Sequence, residues 1–130
     1  MKASFVRNAA VAIQVALALS CGGAAADPTL LKGDEITAKL GGNTLSGTQD
    51  GKAWTEYFLQ DGAVRGIWGG ERYTGAWSIK GDQLCETYPK DPSSNFCDAV
   101  SVDGDTIHYL KPDGHEDGKA TFASGNPKTL

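Results

Sequence analysis

Short apolar and aromatic segments alternate with turn residues through the last two-thirds of the chain. The turn residues recur about every ten positions: Asp50-Gly51, Asp61-Gly62, Gly69-Gly70, Gly81-Asp82, the 89–94 segment, Asp103-Gly104 and Asp113-Gly114. Dipeptides such as Asp-Gly accept the positive φ angles that tight hairpin turns require. Regular short strands at this spacing are typical of an antiparallel meander that curls into a barrel or a sandwich.

The pattern predicts eight strands, at residues 43–49, 53–60, 63–69, 73–80, 83–88, 95–102, 106–111 and 119–123. Before them, residues 27–42 place leucine and isoleucine near helical spacing and end at Gly41-Gly42, which predicts a short helix over one end of the sheet. The fold class is therefore all-β, an eight-stranded antiparallel up-and-down meander with a short N-terminal helix. The domain is residues 43–123, closed or nearly closed into a barrel, with a half-barrel of six or seven strands as the alternative. Residues 124–130 are expected to form a flexible tail.

Alternation along each strand assigns one face to the barrel interior. If Asp61-Gly62 is a two-residue turn, Leu59 pairs with Val64 and Tyr57 with Gly66. When the same alternation is continued across the other hairpins, the interior face contains most of the large apolar side chains of the later strands. Its members there include Tyr73, Gly75, Trp77, Leu84, Glu86, Tyr88, Phe96, Asp98, Val100, Ile107 and Tyr109. In this assignment Gly66 lies opposite Gly75, and both leave room for the rings around them. Trp54, Phe58 and Ile67 fall on the outer face, which indicates a contact patch or cover from the N-terminal segment.

The first 26 residues have the pattern of a secretory signal peptide. Lys2 and Arg7 precede an apolar core at residues 9–19, and alanines at 24–26 provide the small residues that a signal peptidase requires. The core is too short for a permanent membrane helix, so no integral membrane segment is expected after cleavage. The mature protein is predicted to be periplasmic or secreted. Cys21 leaves attachment of a lipid open as the alternative.

The net charge limits the classes of partner. The chain carries 12 basic and 16 acidic residues, and loss of Lys2 and Arg7 on cleavage takes the formal net charge from −4 to −6. An acidic surface repels phosphate backbones and anionic lipids, which argues against binding to nucleic acid or to a membrane surface.

Two cysteines remain after cleavage, Cys85 and Cys97. Each lies six residues from Asp91, so a hairpin folded about Asp91 places them directly opposite each other. In an oxidising compartment such a pair predicts a disulfide. A metal or redox pair is the alternative, and it lacks both the short spacing and a neighbouring ligand.

The chain resembles a known family in several short motifs. They are Thr44-Leu45-Ser46-Gly47, Tyr57-Phe58, Asp61-Gly62, Arg65-Gly66, Gly75-Ala76-Trp77, Leu84-Cys85 and Cys97. With them the chain resembles a family of small secreted bacterial proteins known as a domain of unknown function, in which a Gly-x-Trp precedes a Leu-Cys and a second Cys follows a short loop. The resemblance covers most of residues 40–114. It implies a lipocalin-like β fold in the cell envelope, without an agreed activity.

Glu86 and Asp98 are the unusual members of the interior face. A buried carboxylate is costly unless it is paired or hydrogen bonded, so these two predict a polar anchor in a cavity, for a cationic or hydroxylated ligand. Alternatively, the barrel is open there, or a bulge changes the register, and both carboxylates are in water. Trp77, Tyr88 and Tyr109 on the same face either line such a ligand-binding pocket or fill the core.

Catalytic chemistry has little support in the sequence. Neither His108 nor His115 belongs to a recognisable nucleophile motif, and the acidic turn around His115 does not match a calcium loop. We therefore expect no enzyme, no cofactor and no metal. Two functions stay open: binding of a small apolar or hydroxylated molecule in or at the mouth of the barrel, or a protein-interaction module such as an inhibitor or accessory subunit of an envelope enzyme.

Overall fold

The computed structural model describes residues 28–130. The predicted signal peptide and Cys21 lie outside the described residues. One helix of eight residues, α1 (Gly33–Leu40), precedes the main sheet, and a single 3-10 turn covers Pro92–Ser94. The strands are β1 (Thr29–Leu30), β2 (Asn43–Gln49), β3 (Lys52–Phe58), β4 (Ala63–Trp68), β5 (Glu71–Lys80), β6 (Gln83–Thr87), β7 (Phe96–Asp103), β8 (Thr106–Leu110) and β9 (Glu116–Ala123).

Strands β2 to β9 form a closed antiparallel barrel of eight strands. Each strand pairs with the next one along the chain, and β9 returns to pair with β2. The short β1 adds to β7 beside this barrel. The all-β barrel with a short N-terminal helix, predicted from the spacing of the turns, is therefore confirmed.

Alternate hairpins lie at opposite ends of the barrel, and α1 closes one of them. Gly33, the first residue of α1, donates its backbone N–H to Asp82 Oδ1 at 2.9 Å, and a Cβ at this position would meet the carbonyl oxygen of Gly81 at 2.3 Å. The helix therefore rests directly on the β5–β6 turn. Its buried side chains, Ile36 and Leu40, join the core of the barrel, which contains Leu45, Phe58, Val64, Trp77, Leu84, Val100, Ile107, Tyr109 and Ala120. No helix among residues 28–130 is both long and apolar enough to cross a membrane.

Cys85 on β6 and Cys97 on β7 are register partners and form a disulfide, as the spacing about Asp91 predicts. The bond lies on the outer face, because the residues on either side of Cys85, Leu84 and Glu86, point into the barrel and are buried. The disulfide therefore closes the hairpin that contains the longest loop at the open end of the barrel.

The predicted register between β3 and β4 is wrong by one residue. Gly62, at a φ of 96°, donates its N–H to Leu59 O, and Leu59 donates to Ala63 O. The loop therefore has three residues, with a glycine in the left-handed region before the strand resumes. Phe58 pairs with Val64. Because the loop has three residues instead of the predicted two, every side chain of β3 lies on the face opposite to the predicted one.

The segment after β9, which we expected to be a flexible tail, is hydrogen bonded to the barrel. Thr44 Oγ1 donates to Gly125 O at 2.6 Å, and Gly125 N–H donates to Asn43 Oδ1 at 2.9 Å. Leu130 is buried, and Asn126 bonds its backbone. The segment thus lies along the seam where β2 meets β9.

Candidate functional site

The end of the barrel opposite α1 is hollow. A cavity of about 940 Å³ opens there between the β2–β3 and β4–β5 turns, the β6–β7 loop and the β8–β9 loop. Its volume is in the range of small-molecule sites. The deep part is lined by Glu56, Tyr73, Glu86, Tyr88, Asp98 and Tyr109, and the rim carries Gln49, Trp68, Arg72, Lys90, Asn95 and Lys111.

Two tyrosine rings lie flat against the cavity wall because glycines stand beneath them. A Cβ on Gly66 would lie 2.2 Å from the Tyr73 ring, and one on Gly75 would lie 3.0 Å from the Tyr88 ring. Gly66 is paired with Glu56 on one side and with Tyr73 on the other. The Tyr73 ring can therefore reach across β4 to Glu56. In our sequence assignment Gly66 faced Gly75, which is wrong, since Gly75 pairs with Val64.

Three carboxyl groups are buried in the cavity wall. Glu86 and Asp98 are each 1% exposed and Glu56 is 5% exposed. The alternative in which Glu86 and Asp98 are in water is therefore wrong. Glu86 pairs with Phe96 and Asp98 with Leu84, so the two acids are diagonal neighbours on one face, with their backbones about 7–8 Å apart across the two strands.

Glu56, Glu86 and two tyrosines form one hydrogen-bond network. Tyr73 Oη donates to Glu56 Oε1 at 2.6 Å. Tyr88 Oη lies 2.9 Å from the same oxygen and 2.5 Å from Glu86 Oε2. A tyrosine has one hydroxyl proton, so it can donate to only one of these two carboxyl groups. A protonated Glu86 resolves this, because its Oε2 then donates to Tyr88, which donates to Glu56.

The surroundings of Glu86 favour that protonated form. Burial, and then the charge and hydrogen bond of Glu56, raise the pKa of Glu86 well above its usual range. Burial together with the carboxylates also raises the pKa of Tyr73 and of Tyr88, so both hydroxyls keep their protons. The network therefore joins two buried carboxyl groups through the Tyr88 hydroxyl, and Glu86 is the one whose protonated form is favoured.

Asp98 belongs to a second cluster, toward the rim. Burial, followed by the hydrogen bond and charge of Asp117, raises the pKa of Asp98 to about 6, and Lys111 opposes this shift. The pKa of Asp117 is lowered by the same hydrogen bond. Lys111 Nζ lies 3.1 Å from Asp117 Oδ2 and 4.0 Å from Asp98 Oδ1. The lysine is thus held by Asp117 and lies too far from Asp98 for a hydrogen bond.

Two carboxyl oxygens of these clusters accept no hydrogen bond from an N–H or hydroxyl donor. They are Glu86 Oε1 and Asp98 Oδ1, the only such buried side-chain atoms among residues 28–130. An unpaired buried acceptor costs about 1–3 kcal/mol, so a folded chain that retains two beside one cavity can recover that cost by binding a donor there.

Four of the five predicted ligand-binding residues come together in this cavity: Glu86, Asp98, Tyr88 and Tyr109. Tyr109 is buried and packs edge-on against Phe96. Trp77 does not join them. Its ring meets Phe58 edge-on at the closed end, and its Nε1 donates to Leu59 O at 2.8 Å. We therefore leave Trp77 out of the proposed site.

Glu56 was not predicted from the sequence, because the predicted register places β3 with its two faces exchanged. Phe58 is fully buried and Trp54 packs against the core, so the outer contact patch predicted from Trp54, Phe58 and Ile67 does not form. The signal that could have found Glu56 is Phe58 itself: if this large apolar residue is placed inside, alternation along β3 places Glu56 inside as well.

A second groove of about 580 Å³ lies between α1 and the end of β7, lined by residues such as Leu31, Lys39 and Val102. Among the described residues it contains no buried atom without a hydrogen-bond partner. Residues 28–130 contain no group of three or more His, Cys, Asp or Glu residues arranged to bind a metal ion. The barrel cavity is therefore the candidate functional site.

These features define a small closed up-and-down β-barrel with an acidic, aromatic cavity at one end. No protein-family model, no curated protein and no solved structure matches the chain. The family resemblance carried by the Gly-x-Trp and Leu-Cys motifs therefore stays a prediction.

The raised pKa of Asp98 gives a testable pH dependence. An unfolded Asp ionises near pH 3.9, so between about pH 4 and pH 7 the unfolded chain releases a proton that the folded chain still holds. The free energy of unfolding should therefore fall as the pH rises through this window. Asp98→Asn removes the effect, and we expect it to be more stable than the wild type at pH 7.5 and about equal to it at pH 4.

Urea unfolding of both proteins at the two pH values measures this difference. Asp103→Asn is the matched control, because it removes one exposed carboxyl from the other end of the same strand. Parallel pH profiles for the wild type and Asp98→Asn would contradict the raised pKa.

Proposed function

We propose that the protein binds a small molecule inside the open end of its barrel. The observation that carries this proposal is the pair of buried oxygens without an N–H or hydroxyl donor, Glu86 Oε1 and Asp98 Oδ1, which belong to two residues that line a cavity of about 940 Å³. A core that served packing alone would gain stability from apolar residues at these positions. Retained buried acids at the wall of a large cavity support a binding role.

Binding is a better account of the cavity than catalysis. Among the described residues, the cavity lining contains no histidine and no cysteine. Both cysteines are joined on the outer face, and His108 contacts Glu116 outside the cavity. We propose a periplasmic or secreted location, as the signal-peptide pattern predicts, and the disulfide supports an oxidising compartment. In this proposal the barrel acts in the manner of a lipocalin-like carrier or sensor.

A neutral fluorescent probe tests whether the cavity binds ligands. N-phenyl-1-naphthylamine should bind with about one equivalent per protein and gain fluorescence in the apolar interior. Gly118 faces the cavity opposite Tyr109, and a Cβ there would make only an ordinary contact of 4.0 Å with the Tyr109 ring. Gly118→Phe should therefore fold, fill the space and weaken the binding by more than about tenfold.

Thr121→Phe is the control, because it places the same ring on the exposed outer face of the same strand. Gly118→Leu provides a smaller filling side chain, and circular dichroism checks that each variant folds. Equal affinity of the wild type and Gly118→Phe, or no binding to the wild type, would exclude the barrel cavity as the site.

A further inference from the structure

We propose that the ligand is an organic cation with at least two N–H donors, such as an ammonium or amidinium group on an aromatic or aliphatic body, held between Glu86 and Asp98. This inference rests on the proposed function, since it names the chemical class that the same cavity accepts. It depends on three independent properties of the cavity: its unpartnered atoms, its charge and its aromatic walls.

The unpartnered atoms require a ligand that donates. Glu86 Oε1 and Asp98 Oδ1 are both acceptors, and no buried side-chain donor among residues 28–130 lacks a partner. The nearby hydroxyl donors are already used, because Tyr73 and Tyr88 bond the carboxyl groups of Glu56 and Glu86. A ligand that supplies hydrogens can therefore satisfy two oxygens that belong to neighbouring strands.

The charge of the cavity favours a cation. Glu56, Glu86 and Asp98 contribute three buried carboxyl groups to its wall, and a bound cation can replace the proton that Glu86 holds in the free protein. The lining holds seven acidic residues and four basic ones, Arg72, Lys90, Lys111 and Lys119. Of these four, Lys111 approaches Asp98, and it is engaged by Asp117. A cation in the cavity would meet carboxyl groups in a low-dielectric environment, where attraction is stronger than in water, and an anion would be repelled.

The walls fit the body of an organic cation better than a bare metal ion. Tyr73 and Tyr88 meet edge-to-face with ring centroids 5.9 Å apart, and Phe96 and Tyr109 do so at 5.8 Å. These four rings surround the acids, and aromatic faces attract organic cations as well as apolar groups. A hydrated metal ion would gain nothing from such walls.

Binding should also depend on pH, since a cation needs ionised partners. The titratable and charged groups facing Glu86 and Asp98 come from every neighbouring strand: Glu56, Tyr73, Tyr88, Tyr109, Lys111 and Asp117. A cation that binds Glu86 or Asp98 replaces a proton, so binding releases protons and strengthens as the pH rises through about 6, where Asp98 titrates.

Three ligands of nearly the same shape test the charge requirement. Benzamidine is a cation at every pH used here, benzamide is neutral and benzoate is an anion. Calorimetry at pH 7.5 should show benzamidine binding about tenfold or more tightly than benzamide, and no binding of benzoate. The affinity for benzamidine should fall at pH 5.5, with proton release detected from the dependence of the binding enthalpy on the buffer.

Variants assign the effect to the two acids. Glu86→Gln and Asp98→Asn keep the side-chain shape and should each weaken benzamidine binding by about tenfold, with benzamide changed by less than about twofold. Asp103→Asn, at the closed end of β7, should bind benzamidine as the wild type does. Binding of N-phenyl-1-naphthylamine shows that each variant retains its cavity, and Asp98→Asn carries the test if Glu86→Gln does not fold.

The outcomes separate this inference from the proposed function. If the neutral probe binds but benzamidine binds no better than benzamide or benzoate, the cation assignment is wrong and cavity binding survives. If Glu86→Gln and Asp98→Asn both bind benzamidine like the wild type, the two acids do not hold the cation. If calcium or zinc binds at this cavity and benzamidine does not, the ligand is a metal ion. If nothing binds, including the neutral probe, both proposals fail.

Discussion

Replacing Trp77 by alanine should lower the free energy of unfolding by about 4 kcal/mol, because removal of a buried aromatic ring leaves a cavity that the structure refills only in part. Trp77 is 8% exposed and packs edge-on against Phe58 beneath α1. Its Nε1 also satisfies Leu59 O in the β3–β4 loop. Loss of the ring therefore removes both a core contact and the partner of a carbonyl group.

Trp68→Ala is the matched control for Trp77→Ala. Trp68 is 38% exposed at the rim of the cavity, and its Nε1 makes only a long bond of 3.4 Å to Gln49 O. We expect this variant to lose less than about 1.5 kcal/mol. Urea unfolding gives both values, and equal losses would contradict the closed-end packing of Trp77. Trp77→Phe should still bind the neutral probe, since Trp77 lies outside the cavity.

Removal of the Cys85–Cys97 disulfide should lower the free energy of unfolding by about 3 kcal/mol, from the loop-entropy estimate for the 12-residue separation of the two cysteines. The bond holds β6 against β7, and these strands carry Glu86 and Asp98. The Cys85→Ser/Cys97→Ser double variant, compared with the wild type by urea unfolding, measures the loss. The expected change is in stability, since the bond lies outside the cavity.

A reductant provides the control for the disulfide. Wild-type protein treated with dithiothreitol should fall to the stability of the double variant, and the double variant itself should not respond. Equal stability of the oxidised wild type and the double variant would show that the bond contributes nothing. A thiol titration of oxidised protein should detect no free thiol from Cys85 or Cys97.

The strands and the barrel could be predicted from the sequence because tight turns demand particular residues. Asp50 and Gly51 both adopt positive φ angles, as do Gly69 and Gly70, so these dipeptides predict both the turns and their positions. The disulfide followed from the same arithmetic about Asp91. Closure of the barrel could not be predicted in this way, because alternation along strands does not show whether the first strand meets the last.

The candidate site could be predicted only where loop lengths were assigned correctly. Glu86 and Asp98 were found because the turns on either side have the predicted length. Glu56 was missed because Asp61-Gly62 suits a two-residue turn and a three-residue loop equally well. Phe58 and Leu59 are adjacent and both apolar, so the pattern did not show which of them faces inward. The tyrosine network was not predicted for the same reason, since Tyr73 donates its hydroxyl proton to Glu56.

The order of strands around the barrel also has a consequence for folding kinetics. Seven of the eight pairings that form the barrel join consecutive strands, and only β2 with β9 joins distant parts of the chain. Bringing Thr44 to Gly125, which are 81 residues apart, costs about 4 kcal/mol of loop-closure entropy, whereas the hairpins close over a few residues. We therefore expect the seam to form last. Until then β2 and β9 are open edges that can pair with another chain, and the bonds of Asn43 and Thr44 to Gly125 help to end that exposure.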